Sequence, residues 1–264
     1  MNTVSPKISV VCPTWNSAVF IKDTLASVLS QTRLPLEVIV SDDGSNDNTI
    51  EVVDRMTQKI TEPFVRILRN AHKGPGAARN AGVRAAKGDW IAFLDSDDLW
   101  KADKIARVSK AITEHPEVNF FCHDVCHRFL DGREECLNLA TRYRTDAPLI
   151  KQLFSCNYFF ATSAVVCRRD VLIEHGIFNE DLPSAQDFEL WLRLSPFLRV
   201  QVFPEVLGYY IDRPNNISSE KRWRHFKIAL GSLFKNRKKA RVSWYLTGMT
   251  RLVAVFCKNQ ILKR

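Results

Sequence analysis

The chain has 264 residues, enough for one large domain or two small ones with a sizeable core. Its 38 Lys and Arg exceed its 29 Asp and Glu, a formal charge of +9, but thirteen of the basic residues and no acidic one fall in 221–264. The first 220 residues keep 25 basic and 29 acidic side chains, a net of −4, which argues against nucleic acid as a partner of that part.

Residues 1–7 are polar and the apolar run 8–12 is too short for a secretory leader. No stretch approaches the ~20 apolar residues of a membrane span. Residues 7–12 (KISVVC) read as a strand ended by Pro13. Residues 16–31 have helical spacing, with Phe20, Ile21, Leu25, Val28 and Leu29 on one face and Asn16 or Ser17 as cap. A second buried strand is expected over 36–41, a helix from Ser45 or Asn46 to about Ile60, and a third strand over 64–69. Gly74-Pro75-Gly76 leads into a helix over 77–87, and a strand follows over 90–94. Strands and helices alternating across short turns predict a doubly wound α/β fold with a mostly parallel, Rossmann-like sheet flanked by helices.

Beyond Trp100 a helix is expected to about Glu114, then a strand over 118–122. Cys122-His123-Asp124-Val125-Cys126-His127 looks metal-like, but no second Cys/His pair completes a tetrahedral set and a strand would send alternate residues to opposite faces. Seven cysteines without regular spacing fit reduced thiols better than a disulfide framework. Residues 124–160 are irregular, with a turn at Asp131-Gly132. Strands are expected over 163–167 and 199–211, a helix over 186–195, and a basic helical tail after Asn216. The predicted division is a catalytic domain over 1–215 and a basic amphipathic tail over 216–264.

The stretch that organises the chain is Trp90-Ile91-Ala92-Phe93-Leu94-Asp95-Ser96-Asp97-Asp98. Carboxylates at the C-terminal end of a buried strand sit where open α/β sheets bind ligands. Three such acids in four residues repel one another unless a cation or donors neutralise them, and hard oxygens in this number suit Mg²⁺ or Mn²⁺ held with a substrate's phosphates. A helix cap would account for Asp97 or Asp98 alone, not for all three. Asp42, ending the second strand, can accept hydrogen bonds from a base or ribose, while an Asx turn and helix cap would account for Asp43 and Ser45. Trp15, after Pro13 and Thr14, can stack on a nucleobase or pack at the sheet edge. Arg79 and Asn80, in the Gly-rich turn's helix, can bind an anion there or face the acidic cluster and position it. Ser184-x-x-Asp187 reads as a capping box.

Together, PTWN at 13–16, EVIVSDDGSNDNT at 37–49, GPGAARNAG at 74–82, FLDSDDLW at 93–100 and QDFELWLRL at 186–194 resemble an inverting nucleotide-sugar glycosyltransferase of family 2 with the GT-A fold. The resemblance covers roughly 5–215 and changes the reading of Asp187 from cap to general base. It implies that Pro13, Thr14, Trp15 and Asp42 bind the donor nucleotide, with Arg79 beside them. Asp95 and Ser96 contact the ribose or donor sugar, and Asp97 ligates Mn²⁺ or Mg²⁺. Two departures stand out. Gln186 takes the place of a Glu, and Arg213 takes the place of a His, a position from which Arg cannot ligate a metal but can pair with a diphosphate. The expected donor is a nucleotide sugar, by default a UDP-sugar, and the expected acceptor a glycan or lipid-linked glycan of lipopolysaccharide or exopolysaccharide assembly. The basic tail, rich in Trp, Phe and Leu, resembles helices that lie on an anionic membrane surface, which places the protein in the cytoplasm on the inner face of the membrane. Competing readings are a sugar nucleotidyltransferase and a non-catalytic nucleotide-sugar binder.

Overall fold

The structure is a computed structural model that describes residues 5–154, 160–212, 222–239 and 241–261. The predicted strands of the first hundred residues form, as β1 (Ile8–Thr14), β2 (Glu37–Asp42), β3 (Phe64–Arg69) and β4 (Trp90–Phe93), each joined to the next through a helix, α1 (Ile21–Leu29), α2 (Thr49–Thr57) and α3 (Pro75–Ala85). All their pairings are parallel, in the order β3-β2-β1-β4. β1 and β2 are buried at every position, as strands covered on both faces must be. Along β1, Ile8, Val10 and Cys12 enter one apolar cluster while Val11 enters the other, so the two-residue alternation feeds a core on each side of the sheet.

β1 does not end at Pro13 but runs on to Thr14. Its pairing with β4 stops at Val11↔Phe93. The Thr14 carbonyl faces the β2 side, where it accepts from the Asp43 N–H, so Pro13 faces the side that β4 has already left and its missing N–H costs nothing. Neither Asn16 nor Ser17 caps α1, which starts at Ile21 with no side-chain cap bond. Asn16 instead adopts a positive φ of 49° and ties its loop to residues 45 and 46, and the Ser17 N–H donates to Thr49.

The second half is mixed. β5 (Leu99–Trp100) precedes α4 (Lys104–Glu114), β6 (Phe120–Arg128), β7 (Glu134–Cys136), the short helices α5 (Leu139–Arg142) and α6 (Leu149–Phe154), a 3-10 turn Thr162–Ala164, β8 (Val166–Arg168), α7 (Arg169–His175), α8 (Gln186–Leu194) and β9 (Val200–Ile211). Among the described residues the sheet has nine strands, with β4-β8-β6-β9-β5 continuing the parallel half and β7 pairing β6. β4 to β8, β8 to β6, and β9 to β5 are antiparallel, whereas β6 and β9 are parallel with register shifts around Asp124. β5, β7 and α7 carried no sequence signal, and β6 runs six residues past the end of the strand predicted over 118–122 because β9 pairs along its whole length.

The expectation of reduced thiols fails at one pair. Cys126 and Cys136 form a disulfide, because the turn at 129–133 folds β7 back on β6 and puts these two residues directly opposite each other. Cys12, Cys122 and Cys167 are buried free thiols.

The tail forms two helices, Arg222–Asn236 and Val242–Ile261. Ala229 and Leu233 of the first join the core, and Trp244, Tyr245 and Met249 of the second pack against it. Gly248 passes so close to the Phe154 carbonyl that a Cβ there would collide with it.

Candidate active site

Four segments converge at the C-terminal ends of the parallel strands. The first is the β1 exit. Trp15 is 49% exposed, with its ring stacked on His72 at 4.8 Å. The His72 Nδ1 lies 2.8 Å from Asp43 Oδ2. The Thr14 hydroxyl donates to Asp42 at 3.3 Å, and the Ser17 and Ser96 hydroxyls are 2.8 Å apart, which ties this loop to the acidic one.

The second is the β2 exit. Asp42, not Asp43, makes the Asx turn: its Oδ2 accepts the Gly44 and Ser45 N–H groups at 3.1 and 3.0 Å. Gly44 sits at φ +74°, where a side chain is strained. Asp43 reaches across instead, accepting the Lys73 and Gly74 N–H groups at 2.8 Å each, and so anchors the Gly-rich turn that opens α3. Ser45 caps nothing, since α2 begins at Thr49.

The third is α3. Gly82 packs directly on Val11, where a Cβ would collide, so the helix lies flush on β1 and aims Arg79 along the sheet edge. Arg79 Nη2 donates to Asp95 Oδ1 at 2.6 Å, and Nη1 lies 3.4 Å from Gln186 Oε1. Arg79 thus faces the acidic cluster. Asn80 does not: it bonds the Phe178 carbonyl and Glu180.

The fourth is the acidic loop after β4. Asp95 and Asp97 are half-buried, whereas Asp98 is buried. None of them caps a helix: the Asp98 N–H closes a turn on the Asp95 carbonyl at 3.0 Å, β5 follows, and α4 starts after Asp103. Ser163 donates to Asp98 Oδ2 at 2.5 Å. Burial first, and then the charge of Asp95, push the Asp98 carboxyl up to about 7. Lys104, fully buried, donates to the Ser163 carbonyl at 2.6 Å with its Nζ 3.7 Å from the Trp100 ring, and burial pushes its pKa well below the ordinary value.

Asp187 stands in the first turn of α8. The expected capping box does not form: α8 is preceded by Ala185 at φ 51°, without a side-chain cap bond, and the Ser184 hydroxyl has no partner. Asp187 Oδ1 accepts the Phe188 N–H at 2.8 Å, and the Thr162 hydroxyl lies 3.5 Å from Oδ2. Trp191, one turn on, is buried edge-on against Phe93, Phe120 and Phe178 and fixes the helix to the sheet. Arg79 and Gln186 link α8 back to the acidic loop. Gly76 leaves the room that Gln186 occupies. Arg213 lies outside the described residues.

The donor set suits a hard divalent ion. It offers carboxylate oxygens, partly exposed, at a strand end. Among the described residues no three acids, histidines or cysteines converge to cage a metal by themselves, so an ion here would complete its shell with substrate oxygens and water. Sequence reasoning missed His72, Asp43, Ser163 and Lys104. Only the doubled acid of Asp42-Asp43 carried a signal. A cavity of about 450 Å³ lined by Arg168, His175, Phe197 and Arg199 lies at the other end of the sheet, since Arg168 pairs with Trp90 at the start of β4.

The glycosyl transferase family 2 model matches residues 9–176. An uncharacterized glycosyltransferase of Nostoc sp. is 33% identical over 216 residues, which are 77% of this chain and 64% of that protein. The chain therefore spans less than two thirds of that relative. Among solved structures, S. aureus TarS in complex with UDP-GlcNAc superposes with a TM-score of 0.67 at 23% identity, over 86% of this chain and 66% of that one. The mannosyltransferase PcManGT of Pyrobaculum calidifontis, in complex with GDP-Man and Mn²⁺, gives 0.67 at 20% identity, over 96% and 70%. The shared architecture is the GT-A fold, and the chain belongs to glycosyl transferase family 2.

Proposed function

We propose that this chain transfers a sugar from a nucleotide-sugar donor to a hydroxyl of a glycan or lipid-linked glycan, with inversion and with a divalent metal. The observation that carries the reading is the meeting of Asp95 and Asp97, the Arg79 guanidinium and the Asp187 helix at one sheet edge.

Trp15 offers an exposed ring for the donor base, and Thr14 with Asp42 stiffens the turn beside it. UDP is the default nucleotide, in keeping with the ligand of TarS. Asp97, with Asp95 next to it, would hold Mn²⁺ or Mg²⁺, which neutralises charge growing on the leaving diphosphate. Arg79 keeps the Asp95 carboxylate aimed at the cleft. Asp187 takes the proton of the acceptor hydroxyl, an assistance worth a factor of about 10²–10⁴. Attack from the face opposite the leaving group inverts the anomeric carbon. Gln186 leaves the pair at 186–187 with one negative charge, so the Arg79 charge serves Asp95 alone.

We place the protein on the inner face of the cytoplasmic membrane, in polysaccharide assembly such as lipopolysaccharide or exopolysaccharide synthesis. No described helix is long and apolar enough to cross a membrane. Yet Val242, Leu246 and Val253, all exposed, fall within about 40° of one another around the second tail helix, by its 3.6-residue turn. Lys235, Arg237, Lys238 and Arg241 precede or flank this apolar stripe, the combination that anionic lipid surfaces attract.

The decisive test is a thermal-shift panel of UDP, GDP and their sugar conjugates, each with and without Mn²⁺. A ligand that binds only the folded chain stabilises it by roughly 2.7 kcal/mol at a concentration 100-fold above its Kd. One nucleotide should raise the melting temperature in a Mn²⁺-dependent way, and Asp97→Ala should abolish the rise. No shift with any nucleotide would remove the transferase reading, and pyrophosphate release from a nucleoside triphosphate would replace it with a nucleotidyltransferase. In parallel, the protein should sediment with vesicles containing anionic phospholipid and not with neutral ones. Equal behaviour with both would remove the membrane assignment.

A further inference from the structure

Ser163 lies in the 3-10 turn Thr162–Ala164, far in sequence from the acidic loop and in none of its motifs. It is 6% exposed. Its hydroxyl accepts the Asp95 N–H at 3.0 Å and donates to Asp98 Oδ2 at 2.5 Å. Its carbonyl accepts Trp100 Nε1 at 2.9 Å and Lys104 Nζ at 2.6 Å. One residue thus holds both ends of the loop that carries Asp95, Ser96, Asp97 and Asp98, and grips β5 and α4 beneath it.

The chemistry of these contacts is selective. A serine hydroxyl has one proton and two lone pairs, so it can accept from the Asp95 backbone while donating to Asp98. An alanine can do neither. The second Asp98 oxygen meets the Ile211 N–H only at 3.4 Å, so Ser163 makes the shorter of the two bonds to this buried acid. Asp98 is held down in the protein while Asp95 and Asp97 stay half-exposed at the rim. Groups that orient metal-binding carboxylates without touching the ion matter because they fix where the oxygens point before the ion arrives.

We propose that Ser163 is a positioning residue: it locks the Asp95–Asp98 loop into the geometry that receives a metal-bound nucleoside diphosphate. The inference rests on the transferase reading above. It requires the effect to fall on metal-dependent binding, because Ser163 bonds the acidic loop, β5 and α4 rather than the β1 and β2 exits assigned to the base.

The test is calorimetric titration of UDP, and of GDP, into wild type and Ser163→Ala, with and without Mn²⁺. Loss of an orienting partner typically costs about 10–100-fold in metal affinity or activity, so Ser163→Ala should weaken Mn²⁺-dependent binding by about that factor. Metal-free binding should stay within about twofold of wild type, taking twofold as roughly 0.4 kcal/mol from RT ln 2. Ser163→Cys, close in size but with only a weak S–H donor, should fall between the two, and it serves in place of Ser163→Ala where the alanine variant does not fold. Mn²⁺-dependent binding unchanged in the variant would overturn the inference, and so would an equal loss with and without metal, which marks a general structural role. Wild type that shows no Mn²⁺-dependent binding of either nucleotide would overturn the transferase reading and this inference together. Wild type that binds beside an unaffected variant overturns the inference alone.

Discussion

The two halves of the sheet are built by different rules. From β1 to β4 every pairing is parallel, every crossover passes through a helix, and the functional groups sit in the turns just past the strands. From β5 to β9 every pairing but the parallel β6–β9 is antiparallel, β5 has two residues, β7 and β8 have three each, and the long β6–β9 ladder slips register twice. The first half presents the groups that the proposed function assigns to a donor. The second half holds them still: Ser163 braces Asp95 and Asp98, and Trp191 packs the Asp187 helix onto Phe93 and Phe120. Ligand-facing chemistry is therefore local in sequence, while its rigidity is borrowed from residues about 65 to 100 positions away, the separations of Ser163 from Asp98 and of Trp191 from Phe93.

The largest way to separate the halves is Asp187→Asn. The group lies on α8, in the second half, but its assigned part is in catalysis alone. Turnover, followed as nucleoside diphosphate released from donor in the presence of acceptor, should drop by about 10²–10⁴-fold. The melting temperature and Mn²⁺-dependent UDP binding should stay at wild-type values, and unchanged turnover would move the base elsewhere.

A smaller contrast comes from two glycines at packed contacts. Gly82→Ala drives a methyl into Val11 between α3 and β1, deep in the parallel half. Overpacking of this kind costs about 1–3 kcal/mol, and about 2–4 °C of melting temperature per kcal/mol in a domain of this size. Gly248→Ala drives one into the Phe154 carbonyl under the second tail helix. There the loss should appear as faster proteolysis within 242–261, with the main thermal transition nearly unmoved. A full-sized drop in melting temperature for Gly248→Ala would show that the tail is part of the same cooperative unit.

A further contrast is in pH. Burial holds the Asp98 carboxyl at about 7 in the folded chain, against an ordinary 3.8. Between those values the folded chain binds a proton that the unfolded chain has released, so this group's contribution falls as pH rises from about 4 to about 7. Wild type should lose melting temperature across that window more steeply than Asp98→Asn, measured without nucleotide or metal. Parallel slopes would mean that Asp98 does not set the pH dependence in that window.

Much of the first half was legible because its signals are local. Short apolar runs between Gly and Asp turns read as strands, and the third strand forms over the predicted residues, Phe64–Arg69. Element ends were less legible where the chain itself decides little. Pro13 looked like a stop, yet it faces the side that β4 has already left, where no N–H is needed. Ser184 and Asp187 had the spacing of a capping box, but the positive φ at Ala185 turns the chain before α8 and leaves that box unmade. β5 exists because the long β9 offers it hydrogen bonds, and no run of two residues carries a period that announces this, whereas the strand expected over 163–167 forms only over Val166–Arg168 because a 3-10 turn takes Thr162–Ala164.

By itself the sequence determined the alternating α/β order, the place of the carboxylates at strand ends, the family motifs and the concentration of positive charge after residue 220, because each depends on near neighbours in the chain. Only the tertiary structure decided which acids are half-exposed and which is buried, that Asp42 closes its own turn while Asp43 anchors the glycine loop, that Cys126 meets Cys136, and that Ser163 and Arg79 both grip the acidic loop. Those outcomes follow from strand order and register, which bring together side chains that no local pattern relates.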